Sequence, residues 1–270
     1  MKHLTAFLLS TLLLAACKSD KNAEPQSDGT RQEVNTREVK TDPLPEALTE
    51  ILNAHGGLDQ WNKQRTLSYK LPKGDITETH TIDLWNRWDR IEAGQYSMGY
   101  DGKGTWLQNP EAAYEGNPEF YHNLFFYFYA MPFVLADPGI VYSEAPDLEF
   151  DGKTYPGIRI AYENEVGTSP EDEYYLHYDP ASGQMAWLGY TVTYGTGASS
   201  DDIHWIRYDD WDYLNDLLLP QSISWYNYEG RNIKDLRNTM EFKDIRISEE
   251  ATDRGFFAKP DTLTYFQARP

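Results

Sequence analysis

Beyond residue 65 apolar and polar positions alternate in short runs. TLSYKL (66–71), DITETHTIDLW (75–85), RWDRIEA (87–93), QYSMGYD (95–101) and GTWLQN (104–109) come first. After a gap follow GIRIAYEN (157–164), EYYLHYD (173–179), QMAWLGYTVTY (184–194), DIHWIRYDD (202–210), QSISWYNYE (221–229) and NTMEFKDIRI (238–247). A period of two, rich in Tyr, Trp, Thr, Ile and Val and punctuated by turn residues, predicts antiparallel strands. Asp101-Gly102 is a hairpin signal, because both positions tolerate the positive φ of a type I′ turn. In QMAWLGYTVTY the set Ala186, Leu188, Tyr190 and Val192 shares one face, and Met185, Trp187, Thr191 and Thr193 the other. Neither face is clearly polar.

Two segments break this rhythm. In PEALTEILNAH (45–55) the residues Ala47, Leu48, Ile51 and Leu52 form one apolar stripe at helical spacing, and Pro45 suits a first turn. The next stretch, AHGGLDQW (54–61), groups a histidine, two glycines, an aspartate and a tryptophan. Gly56 stands where a left-handed residue would end the helix, His55 lies in its last turn, and Leu58 and Trp61 would pack a second short turn on the sheet. No nucleophile or second base lies nearby, so His55 and Asp59 are read as structural, with Gly56→Val expected to harm folding and His55→Ala to be mild. The second segment, PEFYHNLFFYFYAMPFVLA (118–136), is aromatic on almost every face and predicts a helix that Pro132 kinks or ends. Such a helix is buried all round or lines a cavity.

The chain starts differently. MKHLTAFLLSTLLLAAC has Lys2, an apolar run from Leu4 to Leu14, then small residues and Cys17. The apolar core is shorter than the ~20 residues of a membrane span, so residues 1–16 are expected to be a secretory signal. Leu14-Ala15-Ala16-Cys17 resembles a bacterial lipobox, whose cysteine becomes the first mature residue and carries the lipid. Cys17 is the one cysteine present and has no disulfide partner. Residues 17–43 lack aromatic residues and are expected to be a disordered tether of the lipidated cysteine. Residues 44–270 are expected to form one β domain.

Composition changes this picture in one respect. Against 24 Lys and Arg stand 43 Asp and Glu, a formal net charge of −19, which argues against nucleic acid as a partner and leaves the lipid anchor as the membrane contact. Candidate chemistry adds little. The histidines His55, His80, His122, His177 and His204 show no i, i+4 zinc spacing, and the chain has no nucleophile elbow, phosphate loop or dinucleotide fingerprint. Asp209, Asp210, Asp212 and Asp216 do not fit a calcium loop and read as a solvated turn between strands. No catalytic residue, metal ligand or cofactor is assigned.

In their order, AHGGLDQW, TLSYKL, RWDRIEA, QYSMGYDGKGTWL, the aromatic helix, YLHYDPASGQMAWLGYTV and YDDWDYLNDLLLPQSISWY resemble envelope lipoproteins related to the LolA/LolB-like lipoprotein-carrier superfamily. The resemblance spans most of residues 45–245. It implies a mainly β fold, a curved antiparallel incomplete barrel whose concave side is covered by the N-terminal and aromatic helices. It also implies an acyl-chain or other lipid-like ligand and an address in a Gram-negative-type envelope, at the outer membrane. On that fold Phe125, Phe128 and Tyr129 are expected to face a cavity shared with Trp85, Trp106 and Trp187. The alternative is an envelope hydrolase or glycan-binding protein that uses surface aromatics and carboxylates.

Overall fold

The computed structural model describes residues 43–162, 172–193 and 200–267. The expected leader, Cys17 and nearly all of the tether lie outside the described residues.

The described residues open with α1 (Glu46–Ala54) and α2 (Leu58–Lys63), then β1 (Thr66–Lys73), β2 (Ile76–Asp83), β3 (Asp89–Glu92), β4 (Ser97–Tyr100) and β5 (Thr105–Gln108). The aromatic stretch gives α3 (Pro118–Tyr121), α4 (Leu124–Tyr129) and a 3-10 turn at Phe133–Ala136. Next come β6 (Ile140–Phe150), β7 (Lys153–Tyr162), β8 (Tyr174–Tyr178), β9 (Met185–Tyr190), β10 (His204–Arg207), β11 (Trp211–Leu214) and β12 (Leu217–Pro220). The chain continues through β13 (Ser222–Glu229), β14 (Asn232–Glu241), β15 (Lys243–Ser248) and α5 (Arg254–Phe257).

Every pairing is antiparallel. One sheet runs β15-β1-β2-β3-β4-β5 and a second β14-β13-β10-β9-β8-β7-β6, while β11 and β12 form a separate hairpin. The large sheets meet where β14 passes into β15. Phe242, between these strands, is buried, and its N–H donates to the Gln221 carbonyl at 2.8 Å. With β5 and β6 as its free edges, the assembly is an incomplete barrel.

The helices α1 to α4 occupy its concave side. One apolar cluster joins Leu48, Ile51 and Leu52 of α1 and Phe125, Phe126, Phe128 and Tyr129 of α4 to both sheets. From β1 come Leu67, Tyr69 and Leu71, and from the second sheet Ile160, Leu176, Leu188, Ile206 and Trp225. The expected fold class is the one observed.

Four details depart from the sequence reading, the first being that the stretch around Asp209 to Asp216, read as a solvated turn between strands, is largely the β11–β12 hairpin with β12 buried. The strand expected over 238–247 is two strands in different sheets, since β14 ends at Glu241 and β15 begins at Lys243. β6 was not expected at all. The expected single helix over 118–136 is three short pieces; α4 stops before Pro132, as that proline demands.

Candidate functional site

His55 and Gly56 are structural. His55 closes α1 and is sealed from solvent. Its Nδ1–H donates to the Leu218 carbonyl at 3.1 Å, and its Nε2 accepts the Met185 N–H at 3.1 Å, so the ring ties α1 to β12 and β9. Burial holds it neutral by pushing its pKa down to about 4. Gly56 has φ +103° and lies against the β11–β12 turn. The expected mildness of His55→Ala is therefore corrected: the ring is a buried two-way bridge, not a surface cap. Asp59 stands in the first turn of α2, and Asp209 to Asp216 span the approach to β11, that strand and its turn.

Between the inner face of the first sheet and α3 lies a buried polar layer. Glu78 on β2 accepts from His80 Nε2 at 3.1 Å, from Tyr121 OH at 2.6 Å and from Tyr96 OH, with Lys73 Nζ 3.6 Å away. Burial alone would raise its pKa, but these donors outweigh it and hold the carboxyl at about 2. Next to it Asp89 accepts from His122 Nδ1 at 2.5 Å. Glu78, with three donors on its carboxylate, is a poor proton acceptor, while Asp89 keeps its Oδ1 unpaired and burial pushes its pKa up; the layer braces α3 and α4. Among the described residues no group of three or more His, Cys, Asp or Glu could hold a metal ion.

Acid should weaken this structure. Burial lowers the pKa of His55 and His177 to about 4 each and lowers that of His80, so these rings stay neutral in the fold while the unfolded chain protonates them near 6.5. Stability is then lost as pH falls from 6.5 towards 4. Asp89 and Asp137, which burial pushes up, act in the opposite sense. His55 and His177 each take up close to one proton on unfolding near pH 5, about 1.4 kcal/mol per pH unit apiece, to which His80 adds and from which Asp89 and Asp137 subtract. Urea melts at pH 7, 6 and 5 measure the net slope, and a flat profile would contradict the assignment of neutral buried rings.

The rings expected to share a cavity are placed apart. Phe125, Phe128 and Tyr129 are in the central core: Phe128 meets Tyr190 and Trp225, at centroid distances of 5.2 and 6.1 Å, and Tyr129 stacks on Tyr69 at 4.9 Å. Trp106 pairs with Gly99, and its Nε1–H donates to the Phe257 carbonyl of α5, so it is buried on the face opposite Leu107 and α3. Trp187 lies with Trp205, Leu148, Tyr155 and Ile233 in a separate cluster on the outer face of the second sheet. Strand parity sets these positions, and the structure does not bring either tryptophan to the helix rings. Trp85, in the β2–β3 turn, is 61% exposed.

Trp85 nevertheless belongs to a pocket. A cavity of about 250 Å³ opens between α2, the β2–β3 turn and residues 133–138, with Leu58, Trp61, Leu84, Trp85, Phe133, Ala136 and Pro138 as its apolar walls. Trp61 and Phe133 stack at 4.6 Å, their planes 3° apart. The polar lining is Asn62, Gln64, Arg87 and Asp137. Arg87 takes a left-handed φ of 57° in a turn pinned by Asp83, whose Oδ1 accepts from Trp85 N, Asn86 N and Asn86 Nδ2 at 3.1, 2.7 and 3.0 Å. From there Arg87 Nη2 reaches both oxygens of Asp137, at 2.8 and 2.9 Å, while its guanidinium lies 4.9 Å over the Phe126 ring. Sequence reasoning noticed Leu58, Trp61 and Trp85 but not the pocket they share. Arg87 and Asp137 are 50 residues apart.

The profile of a family of unknown function, DUF6503, matches residues 56–241, from the end of α1 to the end of β14. The chain belongs to this family. The match takes in α2, the β2–β3 turn and the 133–138 segment, so the whole pocket of this DUF6503 chain lies inside it. No curated protein shows a significant match. Among solved structures the chain is similar to a LolA superfamily protein from Nitrosomonas europaea, at 9% identity and a TM-score of 0.42, over 73% of this chain and 89% of that one. It is likewise similar to a DUF1329 family protein from Desulfovibrio piger, at 9% identity and a TM-score of 0.48, over 81% of this chain and 98% of that one. The open half-barrel is read from the strand order itself, and no ligand is carried over from either.

Proposed function

We propose that the protein is an envelope lipoprotein, held to a membrane through Cys17, whose half-barrel binds a small ligand with an apolar body. The observation that carries the binding reading is the pocket between α2, the β2–β3 turn and residues 133–138, with seven apolar and four polar residues in its walls, Pro138 among the apolar ones. A concave lining that sets polar side chains among apolar ones is a form that small-molecule sites take, and here the polar groups supply the larger part of the surface a ligand would touch. At about 250 Å³ it suits one short chain or ring, not a whole diacyl lipid. The reading moves the binding site from the rings of α4, which fill the core, to the mouth beside Trp85. The anchor rests on the order Leu14-Ala15-Ala16-Cys17 and on the polar stretch after it.

A neutral fluorescent probe such as N-phenyl-1-naphthylamine should bind the detergent-free protein. Leu58→Asp, which sets an unpaired charge in the wall at a half-buried position, should weaken that binding about ten-fold or more. Ala136→Phe should weaken it by filling the space. Equal binding by the two folded variants and the parent would remove the pocket as the site. The anchor is tested apart: Cys17→Ser should abolish metabolic labelling by a fatty acid and release the mature protein into the soluble fraction, and undiminished labelling would refute it.

A further inference from the structure

The pocket's charges are paired with each other. Its lining contains one basic and one acidic side chain, Arg87 and Asp137, and Arg87 Nη2 contacts both Asp137 oxygens. The pair is held in place: the Asp83-pinned turn fixes the Arg87 backbone, and the guanidinium is stacked over Phe126. A carboxylate entering the pocket would approach Arg87 and Asp137 together, so attraction to one and repulsion from the other nearly cancel. The charge of the head would be desolvated with little return. An ammonium head faces the same balance with the signs exchanged. An uncharged head that both donates and accepts loses far less, since it can donate to the open lone pairs of Asp137 and bond the exposed Asn62 amide, whereas the sealed Gln64 amide is already joined to the Gln60 carbonyl and to Asn215.

We propose that this pocket selects amphiphiles with an uncharged, hydrogen-bonding head, an ester, amide or hydroxyl, over fatty acids and alkylamines of equal chain length. The proposal rests on the ligand-binding reading above and names the ligand class. Its test uses monodecanoyl glycerol, decanoate and decylamine, each titrated at pH 7 into the full chain below the micelle threshold and followed by tryptophan emission and by displacement of the neutral probe. The glyceride should bind at least about ten-fold tighter than either ion. Asp137→Asn leaves Arg87 without its counter-charge, and should shift the decanoate-to-glyceride ratio by about ten-fold or more towards decanoate. Arg87→Gln is the mirror case and should move the preference towards decylamine. Because both side chains are partly exposed, folded variants are expected, and circular dichroism checks each. Equal binding of the three amphiphiles, tighter binding of decanoate by the parent, or ratios unmoved in both variants would overturn the selectivity. In those cases a bound probe that Leu58→Asp displaces still upholds the pocket, whereas a probe that never binds overturns both readings.

Discussion

Gly56→Val is expected to cost about 2 to 6 kcal/mol, a large share of the roughly 5 to 15 kcal/mol that holds a domain folded. Two separate effects add. The backbone at residue 56 has φ +103°, where a β-branched residue is strained by on the order of 1 to 3 kcal/mol. A Cβ placed there would also stand 2.3 Å from the Asp216 carbonyl oxygen and 3.1 Å from Leu217 Cα, both backbone atoms of the β11–β12 hairpin. Forcing them apart adds an overpacking cost of about 1 to 3 kcal/mol. The neighbouring residue is nearly as sensitive. His55→Ala strands the Leu218 carbonyl and the Met185 N–H, both buried, and empties space beside Trp211, whose ring lies 4.4 Å from the imidazole. At about 1 to 3 kcal/mol for each orphaned group, that loss approaches the first. Urea denaturation of both variants gives the values directly. A Gly56→Val protein that melts with the parent would refute the contact between the end of α1 and the hairpin.

Much of the fold was legible because period-two runs mark strands wherever one side meets the core. The stripe of α1 and its glycine stop were legible for the same kind of local reason. β6 escaped because its sequence, IVYSEAPDLEF, belongs to an edge strand: Pro146 interrupts it, and only Ile140 and Leu148 are buried. The passage from β14 to β15 escaped because both halves of NTMEFKDIRI look like strand, and nothing local to Phe242 reports a change of sheet. The tryptophans were misjudged for a third reason. Both faces of these sheets are covered, the inner by helices and the outer in part by α5 and by the cluster around Trp187 and Trp205. No polar face then tells which parity points inward.

The pocket was hidden by distance along the chain. Its walls come from a helix turn near residue 60, a β-turn near 85 and a 3-10 turn near 135, each unremarkable locally. The one local sign was Asp83-Leu84-Trp85-Asn86-Arg87, where an aspartate folds the backbone over itself and throws the arginine into a left-handed conformation. Strained, fully determined turns of this kind cluster at binding sites.

The second large effect concerns Glu78. Its carboxylate accepts from two tyrosines and a histidine and has Lys73 at 3.6 Å, and both the acid and His80 are sealed from water. Glu78→Leu removes the common acceptor and leaves Tyr96 OH, Tyr121 OH and His80 Nε2 buried without it. Breaking such a charged centre from one side costs about 3 to 5 kcal/mol, because the partners have already given up their water. Glu78→Gln keeps an acceptor oxygen but turns an NH₂ towards groups that are themselves donors, so an intermediate loss is expected. The pH dependence gives an independent sign. With a folded pKa of about 2 against an ordinary value of 4.5, Glu78 contributes stability that is full above pH 4.5 and fades as pH falls towards 2. The leucine variant should lose that part of the acid profile while keeping the part between pH 6.5 and 4 that His55 and His177 supply. Since Tyr121 is one of two residues, with His122, through which the end of α3 bonds the sheet, a Glu78→Gln/Tyr121→Phe cycle should show a coupling of about 1 to 3 kcal/mol. Additive losses in that cycle, with near-ultraviolet dichroism unchanged, would mean that α3 is held by its other contacts and that the buried acid does not brace it.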